Sequence, residues 1–497
     1  FLNPRGLEQY SGGGWGTRDV CQGAFEYLIA QGDWMICRDL LLRVFEEQNE
    51  DGDWPQWFML YPRDKEIRAS DSHADIIYWP ILSLTTYIER TNDLDILKIT
   101  TKSKNRKQER TILSAVEQAH SHWRTNFIKG TVLPKYGNGD WNDSLQPLND
   151  EFRNHAVSTW NAELSFMTYT ALFKLYKILE KSNLQIQVEN EKNKLLQNIK
   201  ELCMEGGVLA GIRNFKEGCT HPFLLHPSDT QTGVKYSLIP MIYGILSEIL
   251  DPIEVEHHLK IIKDKLTGPD GVRLFDIPIK YNKGFSNYFR RAETASYFGR
   301  EIGLMYTHAH LRYCEALGHL GKSKELLFEL SKINPIGIQK RIPSAKVRQS
   351  NCYYTSSDGQ FLDREEAFTR YQDLLDGNVD LEGGWRVYSS GPGIFIKLFY
   401  ESLLGIRQYK DGIEFDPILP LGLHGTEILI QISDKTVRLT YQIVNENATL
   451  AFIELNGHSI SFERKENRYR RGGGKMLYND ILIYMRESDN FLVLKLD

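Results

Sequence analysis

The chain has 497 residues, of which 41% are hydrophobic and 25% charged, a composition typical of a globular protein with a large core. Its net charge of −5 argues against a nucleic-acid partner, which would need a concentrated positive surface, and no apolar stretch approaches the roughly 20 residues of a membrane helix. The six cysteines show no CxxC pair or other metal-ligand spacing, so we expect a reduced, cytoplasmic protein without a bound metal.

Amphipathic helical segments dominate the first four fifths of the chain. Apolar residues recur at spacings of three and four, as in TALFKLYKIL (170–179). The pattern predicts twelve helices, at 18–31, 33–48, 74–91, 108–128, 155–181, 185–204, 236–249, 254–266, 297–318, 322–333, 364–375 and 393–405. Long loops, which are usually functional in a compact domain, separate some of them at 49–72, 129–154, 268–296 and 376–392. Paired helices with their long loops at one end predict a mainly α fold, an (α/α)6 toroid over residues 1–410.

The hydrophobic pattern changes after residue 411 from a helical period to a period of two. The segments TEILIQI, TVRLTYQIV, ATLAFIEL, HSISFER and NFLVLKL alternate apolar and polar residues, which predicts five strands. Tight turns such as Asn456-Gly457 separate them. We therefore expect a small C-terminal β-sandwich domain over residues 411–497.

The loop YGNGDWNDSLQP (136–147) places two carboxylates, Asp140 and Asp143, on either side of Trp141. Its glycines and Asn-Asp pair favour a turn over a helix, and loops are where a scaffold usually presents reactive groups. A tryptophan offers an apolar face to a sugar ring, and a neighbouring carboxyl can bond to its oxygens. The alternative is a surface turn in which both aspartates cap backbone amides.

The glycine-rich segment SGGGWGTRDVCQG (11–23) runs into a helix, with Arg18 and Asp19 at the junction. It matches neither common nucleotide-binding motif, because it lacks both GxGxxG after a strand and GK[ST]. An arginine and an aspartate side by side can hold two neighbouring sugar hydroxyls, one donating and the other accepting a hydrogen bond. The alternative is a helix start with Asp19 in its first turn.

Two further segments contain clustered titratable residues. In SDSHADIIYWP (70–80) the alternation of Asp71, His73 and Asp75 resembles a metal site but lacks further ligands at a defined spacing. In REIGLMYTHAH (300–310), Glu301 and His308 are seven residues apart, which is two helical turns and predicts one shared helix face. The alternative for these histidines, His310 included, is a structural role inside a helix.

The segment EGGWRVYSSGPGIF (382–395) is a second loop rich in glycine and serine that precedes a helix. Its hydroxyl and amide groups are hydrogen-bond donors, and it carries almost no negative charge. Such a composition suits a tetrahedral oxyanion.

Taken in chain order, these segments resemble the inverting phosphorylases of glycoside hydrolase family 94, which include cellobiose and chitobiose phosphorylases. GDWND is the most specific of the shared motifs, and it implies that Asp143 is the general acid and that Trp141 lines the cleft. TRDVCQG is similar to the family's Arg-Asp motif that grips the −1 sugar, which implies this role for Arg18 and Asp19.

The remaining motifs imply an acceptor site and a phosphate site. EIGLMYTH resembles the family's Glu-x-Gly-x-x-x-x-His stretch, which implies Glu301 at the acceptor sugar and His308 at phosphate. VYSSGPG resembles the phosphate loop, which implies phosphate contacts from Ser389, Ser390 and Gly391. The resemblance also adds Asp75, His310 and Tyr388 to the substrate-binding set.

The sequence departs from the family pattern in three places. A further phosphate-binding arginine of the family falls here near Gly13, and Ser-Ser replaces the family's Thr-Gly. GGGWGTRDVCQG is closer to the related families 149 and 161, which act on β-1,3-glucans. The resemblance therefore implies a preference for β-1,3 over β-1,4 and β-1,2 linkages. Because Phe1 is not an initiator methionine, we also expect a longer protein, and the resemblance implies that its upstream part contains a β-sandwich domain.

The function implied is inverting phosphorolysis of a β-linked gluco-oligosaccharide to α-glucose 1-phosphate and a shortened oligosaccharide. The expected partners are the oligosaccharide and inorganic phosphate as co-substrate, with no cofactor and no nucleic-acid or membrane partner; a homodimer is compatible with the sequence. Two alternatives stay open. One is an inverting glucoamylase-like hydrolase with Asp380 or Glu382 as base, and the other is a non-catalytic carbohydrate-binding protein that uses its aromatic cleft.

Overall fold

The computed structural model describes residues 14–59, 64, 66–102, 106–279, 284–290, 303–384 and 391–497. Four residues with predicted roles, Glu301, Tyr388, Ser389 and Ser390, lie outside these ranges. Within them, no helix combines the length and the apolar character that a membrane crossing requires.

Helices fill most of the chain up to about residue 400. They are α1 Thr17–Asp19, α2 Phe25–Gln31, α3 Trp34–Glu46, α4 Tyr78–Thr91, α5 Ile112–Arg124, α6 Asp150–His155, α7 Thr159–Ile178, α8 Ser182–Leu202, α9 Leu238–Leu246, α10 Pro252–Ile261, α11 Thr307–His319, α12 Ser323–Ile333, α13 Arg364–Thr369, α14 Tyr371–Leu375 and α15 Gly391–Lys397. Wider π-type turns join α1 to α2 at Val20–Ala24 and extend α10 and α15 at Ile262–Leu266 and Leu398–Leu403. Each predicted helical segment overlaps at least one of these helices. Asp33 caps α3 as its sequence indicates, its side chain accepting from the amide of Ile36 at 3.4 Å.

Six of the helices pack one against the next. α2 packs against α4, α4 against α7, α7 against α9, α9 against α11 and α11 against α15, and α15 returns to α2. α3, α8 and α12 pack against members of this circuit. The backbone of α15 comes very close to the turn that precedes α2, because a Cβ atom on Gly393 of α15 would lie 1.8 Å from the carbonyl oxygen of Gly23. Only a glycine at position 393 allows these two backbones to meet.

Short strands lie between the helices. They are β1 Gly14–Gly16, β2 Trp57–Met59, β3 Thr100–Thr101, β4 Arg110–Thr111, β5 Ala156–Ser158, β6 Met204–Glu205, β7 Val208–Leu209, β8 Ile212–Asn214, β9 Phe223–Leu224, β10 Thr267–Gly268, β11 Gly271–Val272, β12 Met305–Tyr306, β13 Ser356–Gly359 and β14 Leu381–Gly383. β1, β5 and β12 run directly into α1, α7 and α11, so strand pairing fixes where these three helices begin.

The helix that carries His308 starts later than its sequence predicts. Gly303 has a left-handed φ of 80°, and β12 then pairs with β13 before α11 begins at Thr307. Residues 303–306 are therefore not helical, contrary to the predicted helix over 297–318, and Glu301 lies outside the described residues.

Two antiparallel-rich sheets follow the helices. The first has the order β15 Ile406–Gln408, β16 Gly412–Phe415, β22 Gly474–Leu477, β21 Glu463–Arg464. The second has the order β17 Glu427–Ile432, β18 Lys435–Ile443, β23 Asn490–Leu496, β19 Leu450–Leu455, β20 His458–Ile460, in which β18 and β23 are parallel. A short helix, α16 Tyr478–Ile481, follows β22. The predicted change from helices to strands is confirmed, and alternate residues of β23 are buried, as its period of two requires.

Candidate active site

Arg18 forms a buried ion pair with Asp75 where β1 meets α1. Its Nε and Nη2 atoms donate to the two carboxylate oxygens of Asp75 at 2.6 and 2.8 Å, and Nε1 of Trp79 donates to one of them at 3.0 Å. Burial opposes the charge of Arg18, but the carboxylate of Asp75 more than offsets this, and the pKa of Arg18 is raised. Asp75 therefore holds Arg18 in place, a role that the sequence does not predict for it.

Asp19 lies beside this pair, with its carboxyl folded over the end of β1. A Cβ atom on Gly16 would lie 2.2 Å from Oδ2 of Asp19, so the glycine makes room for the acid. Burial raises the pKa of Asp19 to about 6; Arg18 opposes the rise, and the charges of Asp143 and Asp75 add to it. The site thus gathers three acids around one arginine.

Asp140 shapes the loop that follows. Its Oδ1 accepts from the amide of Asn142 at 3.0 Å, and its Oδ2 accepts from the hydroxyl of Ser158 at 2.7 Å. Its carbonyl oxygen accepts from Nδ1–H of His73 at 2.9 Å. Burial raises the pKa of this carboxyl to about 6. Asp140 thus forms the kind of local cap that the alternative interpretation of the loop expects, although it is buried and does not lie on the surface.

Asp143 is the more accessible of the two acids. It opens a single 3-10 turn, Asp143–Leu145, which the side chain of Asn142 caps by accepting from the amide of Ser144 at 3.0 Å. The side chain of Asp143 is 24% exposed, and its Oδ1 lies 3.9 Å from Nδ1 of His73. The same loop therefore buries one carboxyl and presents the other.

His73 holds the loop through the carbonyl of Asp140, and the sequence indicates it only as a candidate metal ligand. Burial, with the charge of Arg18, lowers the pKa of its ring, so it is a neutral group that donates through Nδ1. Among the residues that the structure describes, no group of three or more histidines, cysteines or acids could hold a metal ion.

An aromatic wall lies beside the loop. The ring of Trp141 packs against those of Tyr306 and His308 at centroid distances of 5.3 and 5.4 Å. Tyr306 and His308 stack at 6.2 Å with an interplanar angle of 15°. Tyr306 is the last residue of β12, and the sequence did not predict it as a site residue. Its position two residues before His308, with Thr307 between them, is the one sequence feature that indicates it.

His308 is the buried member of this wall. Its Nε2 atom is 3.1 Å from Oε1 of Gln22, and the side chain is buried. Burial lowers the pKa of His308 well below its ordinary value, and the charges of Arg312 and Arg18 lower it further. His308 is therefore neutral in the absence of a ligand. Gln22, four residues after Arg18 on the same continuous helix, is a neighbour that the sequence did not single out.

His310 does not belong to this group. Its Nδ1 accepts from the amide of Val272 at 3.2 Å, and its Nε2 donates to the carbonyl of Glu329 at 3.0 Å. The side chain is fully buried between these partners. The structure thus corrects the prediction of a substrate contact at His310 and supports the structural alternative.

Only one member of the predicted phosphate loop is described. Gly391 opens α15 and packs against Tyr353, whose hydroxyl oxygen would lie 1.7 Å from a Cβ atom at that position. Ser389 and Ser390, together with Tyr388 and Glu301, are outside the described residues.

The two carboxylates that a hydrolase would use as base are on the surface. Glu382 has a side chain that is 51% exposed, and its Oε1 pairs with the ammonium group of Lys346 at 3.3 Å and with the amide of Gln360. Asp380 is also exposed. Neither lies in the buried group formed by Arg18, Asp75 and His73.

Two domain matches define the class of protein. Residues 8–359 match the catalytic domain of the glycosyl hydrolase 94 superfamily, and residues 405–494 match the glycoside phosphorylase C-terminal domain. Because the first match covers more than half of the chain, the protein belongs to the glycosyl hydrolase 94 superfamily.

Characterised proteins with related sequences carry phosphorylase names. A 1,2-beta-oligoglucan phosphorylase of Listeria innocua serovar 6a is 40% identical over 480 residues, covering 95% of this chain and 43% of that protein. A 3-O-beta-D-glucopyranosyl-beta-D-glucuronide phosphorylase of Paenibacillus borealis is 23% identical, covering 81% of this chain and 49% of that protein. The chain thus spans less than half the length of these curated relatives. A solved structure of cellobiose 2-epimerase from Bacillus thermoamylovorans B4167 is similar with a TM-score of 0.46 and 13% identity, covering 80% of this chain and 92% of that one.

Proposed function

We propose that the protein containing this chain is an inverting glycoside phosphorylase. It would cleave a β-linked gluco-oligosaccharide with inorganic phosphate, reversibly, to give α-glucose 1-phosphate and an oligosaccharide one glucose shorter. Both domain matches and the names of the two relatives support this activity. The observation that supports phosphorolysis over hydrolysis is the surface position of Asp380 and Glu382, since an inverting hydrolase needs a second carboxylate to activate water.

In this mechanism Asp143 donates a proton to the glycosidic oxygen as the bond to the leaving sugar breaks. Its accessible side chain at the start of the 3-10 turn favours it over Asp140, whose carboxyl is buried. His73 would hold the loop, and with it the carboxyl of Asp143, in a fixed position relative to Arg18. Arg18 and Asp19 would hold the hydroxyls of the −1 glucose.

Phosphate would attack the anomeric carbon from the face opposite Asp143, which inverts the configuration. It is already an anionic nucleophile and needs no general base. We place it between His308 and the loop from Ser389 to Gly391. Trp141 and Tyr306 would face the sugar rings with their apolar surfaces.

The successive packing of α2, α4, α7, α9, α11 and α15, with α15 returning to α2, supports an (α/α)6 toroid as the architecture of the helical part. In that arrangement the helix starts at β1, β5 and β12 deliver Arg18, Ser158 and His308 to one cleft.

The glucosidic linkage of the substrate is the most detailed part of the proposal. The glycine-rich Arg-Asp segment favours β-1,3, as does the name of the relative at 23% identity. The relative at 40% identity is named for 1,2-linked oligoglucans, and its match covers nearly all of this chain. We therefore propose β-1,2-linked gluco-oligosaccharides as the first substrates to test and β-1,3-linked ones as the second.

The deciding experiment measures α-glucose 1-phosphate and reducing sugar from both substrate sets as phosphate is removed by dialysis and then restored. We expect cleavage to stop without phosphate and to return in proportion to it, and synthesis to run from α-glucose 1-phosphate with an acceptor. Reducing sugar released at full rate in phosphate-free buffer, with loss of that rate in Glu382→Gln, would favour the hydrolase. Binding of the oligosaccharide without any product, undiminished in Asp143→Asn, would favour a carbohydrate-binding protein.

A further inference from the structure

Gln22 connects the proposed phosphate residue to a buried cluster of charges. Its Oε1 atom accepts from Nη2 of Arg312 at 2.8 Å and lies 3.1 Å from Nε2 of His308. The glutamine is 1% exposed, so water does not compete for this oxygen. One carbonyl oxygen thus joins a fixed cation to an imidazole ring.

The orientation of the Gln22 amide is determined by Arg312. A guanidinium group only donates hydrogen bonds, so the amide must turn its oxygen towards it and not its NH2 group. Arg312 is itself held firmly: it donates to Glu26 at 2.6 and 3.2 Å and to Glu315 at 2.7 Å. Lys397 donates to the same two acids at 3.0 and 2.8 Å. Turning the amide over would place the NH2 group of the buried Gln22 against a donor of Arg312, with no acceptor between them.

The oxygen of Gln22 in turn determines which nitrogen of His308 carries the proton. An amide oxygen has no hydrogen to give, so Nε2 of His308 must be the donor. We propose that Gln22 is a positioning residue, which Arg312 orients and which keeps His308 in the tautomer with its proton on Nε2. The neutral ring then carries its lone pair on Nδ1. The lowered pKa of His308 agrees with a neutral ring.

The consequence for phosphate rests on the proposed function. A ring with its lone pair on Nδ1 meets phosphate as a hydrogen-bond acceptor and does not add positive charge. It would accept from the P–OH group of hydrogen phosphate, so that the proton stays on the phosphate and an unprotonated oxygen faces the anomeric carbon. This role differs from that of a protonated histidine, which would add positive charge to the phosphate site.

Nitrogen-15 NMR of histidine-labelled protein, in its encoded full length, tests the tautomer without requiring activity. Spectra are recorded at neutral pH with and without inorganic phosphate, and the His308 signals are assigned by their absence from His308→Asn. We expect a neutral ring with the proton on Nε2 in the wild type. A wild-type ring that is protonated on Nδ1 alone, or on both nitrogens, in the phosphate-free sample would overturn the proposal.

A pair of variants separates positioning from a general effect of losing a buried glutamine. Gln22→Leu keeps the volume and removes the acceptor, whereas Gln48→Leu removes another buried glutamine whose NH2 group donates to the carbonyls of Gly52 and Ala115 at 2.9 and 2.8 Å. In Gln22→Leu we expect a mixture of both neutral tautomers and a phosphate KM raised about tenfold, with the oligosaccharide KM nearly unchanged. In Gln48→Leu we expect the wild-type tautomer and the wild-type ratio of the two KM values.

The outcomes distinguish this inference from the proposed function. If the protein cleaves its substrate by phosphorolysis but Gln22→Leu leaves both the tautomer and the phosphate KM unchanged, the positioning role is refuted and the function stands. If no phosphorolysis occurs but the tautomer changes in Gln22→Leu and not in Gln48→Leu, the positioning role stands and its link to phosphate fails.

Discussion

Asp140 and Asp143 are three residues apart in one loop, and their surroundings give them different chemistry. Asp140 accepts hydrogen bonds from Asn142 and Ser158 on its two oxygens, while Asp143 lies at the start of the turn with a partly exposed carboxyl. A general acid must reach the oxygen that it protonates, so accessibility is the more important property here.

We expect Asp143→Asn to lower turnover by about 10²- to 10⁴-fold, the usual contribution of a positioned acid, while folding and sugar binding are retained. Asp140→Asn keeps an acceptor oxygen in the loop and should lower turnover much less. Steady-state kinetics of both variants in the phosphorolytic direction checks this, with circular dichroism as the control for folding. A larger loss in Asp140→Asn would reverse the two roles.

The raised pKa of Asp140 also predicts a pH dependence of stability. Its folded-state pKa of about 6 exceeds the ordinary value near 3.8, so the folded protein binds this proton more tightly than the unfolded chain. The resulting stability is fully present below about pH 4 and is lost as the pH rises through 6. At about 1.4 kcal/mol per pKa unit, the loss is about 3 kcal/mol.

Asp140→Asn cannot lose a proton, so its free energy of unfolding relative to the wild type should increase by up to about 3 kcal/mol between pH 4 and pH 7. Urea unfolding at both pH values measures this difference, and any constant effect of the amide cancels. An unchanged or decreasing difference would contradict burial of this carboxyl as the cause.

At the scale of elements, helical periodicity predicted the helices well because each buries one apolar face. The short strands were not predicted, since two or three residues such as Met305–Tyr306 have no period to detect. Their effect on the site is large, because β12 moves the start of α11 to Thr307, directly before His308. The motifs indicated Asp143, Arg18 and His308, but hydrogen-bonded neighbours from distant segments leave no local pattern. The pairing of Arg18 with Asp75, 57 residues away, is one example, and that of Gln22 with Arg312, 290 residues away, is another.

Gly393 belongs to the segment that the sequence indicated as a phosphate-binding loop, but in the structure it allows α15 to pack closely against the backbone at Gly23. We expect Gly393→Ala to destabilise the protein by at least about 2 kcal/mol, because its Cβ atom would lie 1.8 Å from a backbone carbonyl of the facing helix. The matched control is Gly422→Ala, where a Cβ atom would meet nothing within 4 Å and the backbone is not left-handed. Its change should stay within about 0.5 kcal/mol. Equal denaturant midpoints for the two variants would show that α15 does not approach the opposite helix this closely.

At the scale of the whole molecule, a short segment after β21, residues 467–470, joins the sheets to the helices through hydrogen bonds. Asn467 and Arg470 donate to the carbonyl of His319 at the end of α11, at 3.0 and 3.1 Å. Arg468 and Tyr469 donate to the carbonyls of Glu248 and Leu250, just after α9, at 2.7 and 2.8 Å. A cavity of about 760 Å³ lies inside this junction and is lined by charged residues that include Arg312, Lys397, Arg407, Glu414, Asp416 and Arg470. Polar contacts at helix ends thus join the two parts beside a polar cavity, in addition to the apolar core that the two parts share.

Arg470 is the central residue of this junction and carries the last prediction. It donates to both oxygens of Asp416 at 2.7 and 2.8 Å as well as to His319, and both side chains of the ion pair are less than 10% exposed. Removing one partner of a buried pair leaves a charge uncompensated, which typically costs 3–5 kcal/mol. Because Arg407 still donates to Asp416 at 3.1 Å, we expect the lower end, about 3 kcal/mol, for Arg470→Ala.

The adjacent Arg471 provides the matched control, because it pairs with Asp497 at 3.6 Å and both side chains are more than half exposed. Arg471→Ala should change the free energy of unfolding by less than about 1 kcal/mol. Calorimetry of both variants also tests whether the junction couples the two parts. Once Arg470 is lost, the sheets keep the apolar core that they share with the helices but have fewer hydrogen bonds to α9 and α11, so we expect a broader unfolding transition in Arg470→Ala alone. A single transition at the wild-type temperature in Arg470→Ala would mean that the apolar contacts between helices and sheets hold the molecule together without the bonds of Arg470.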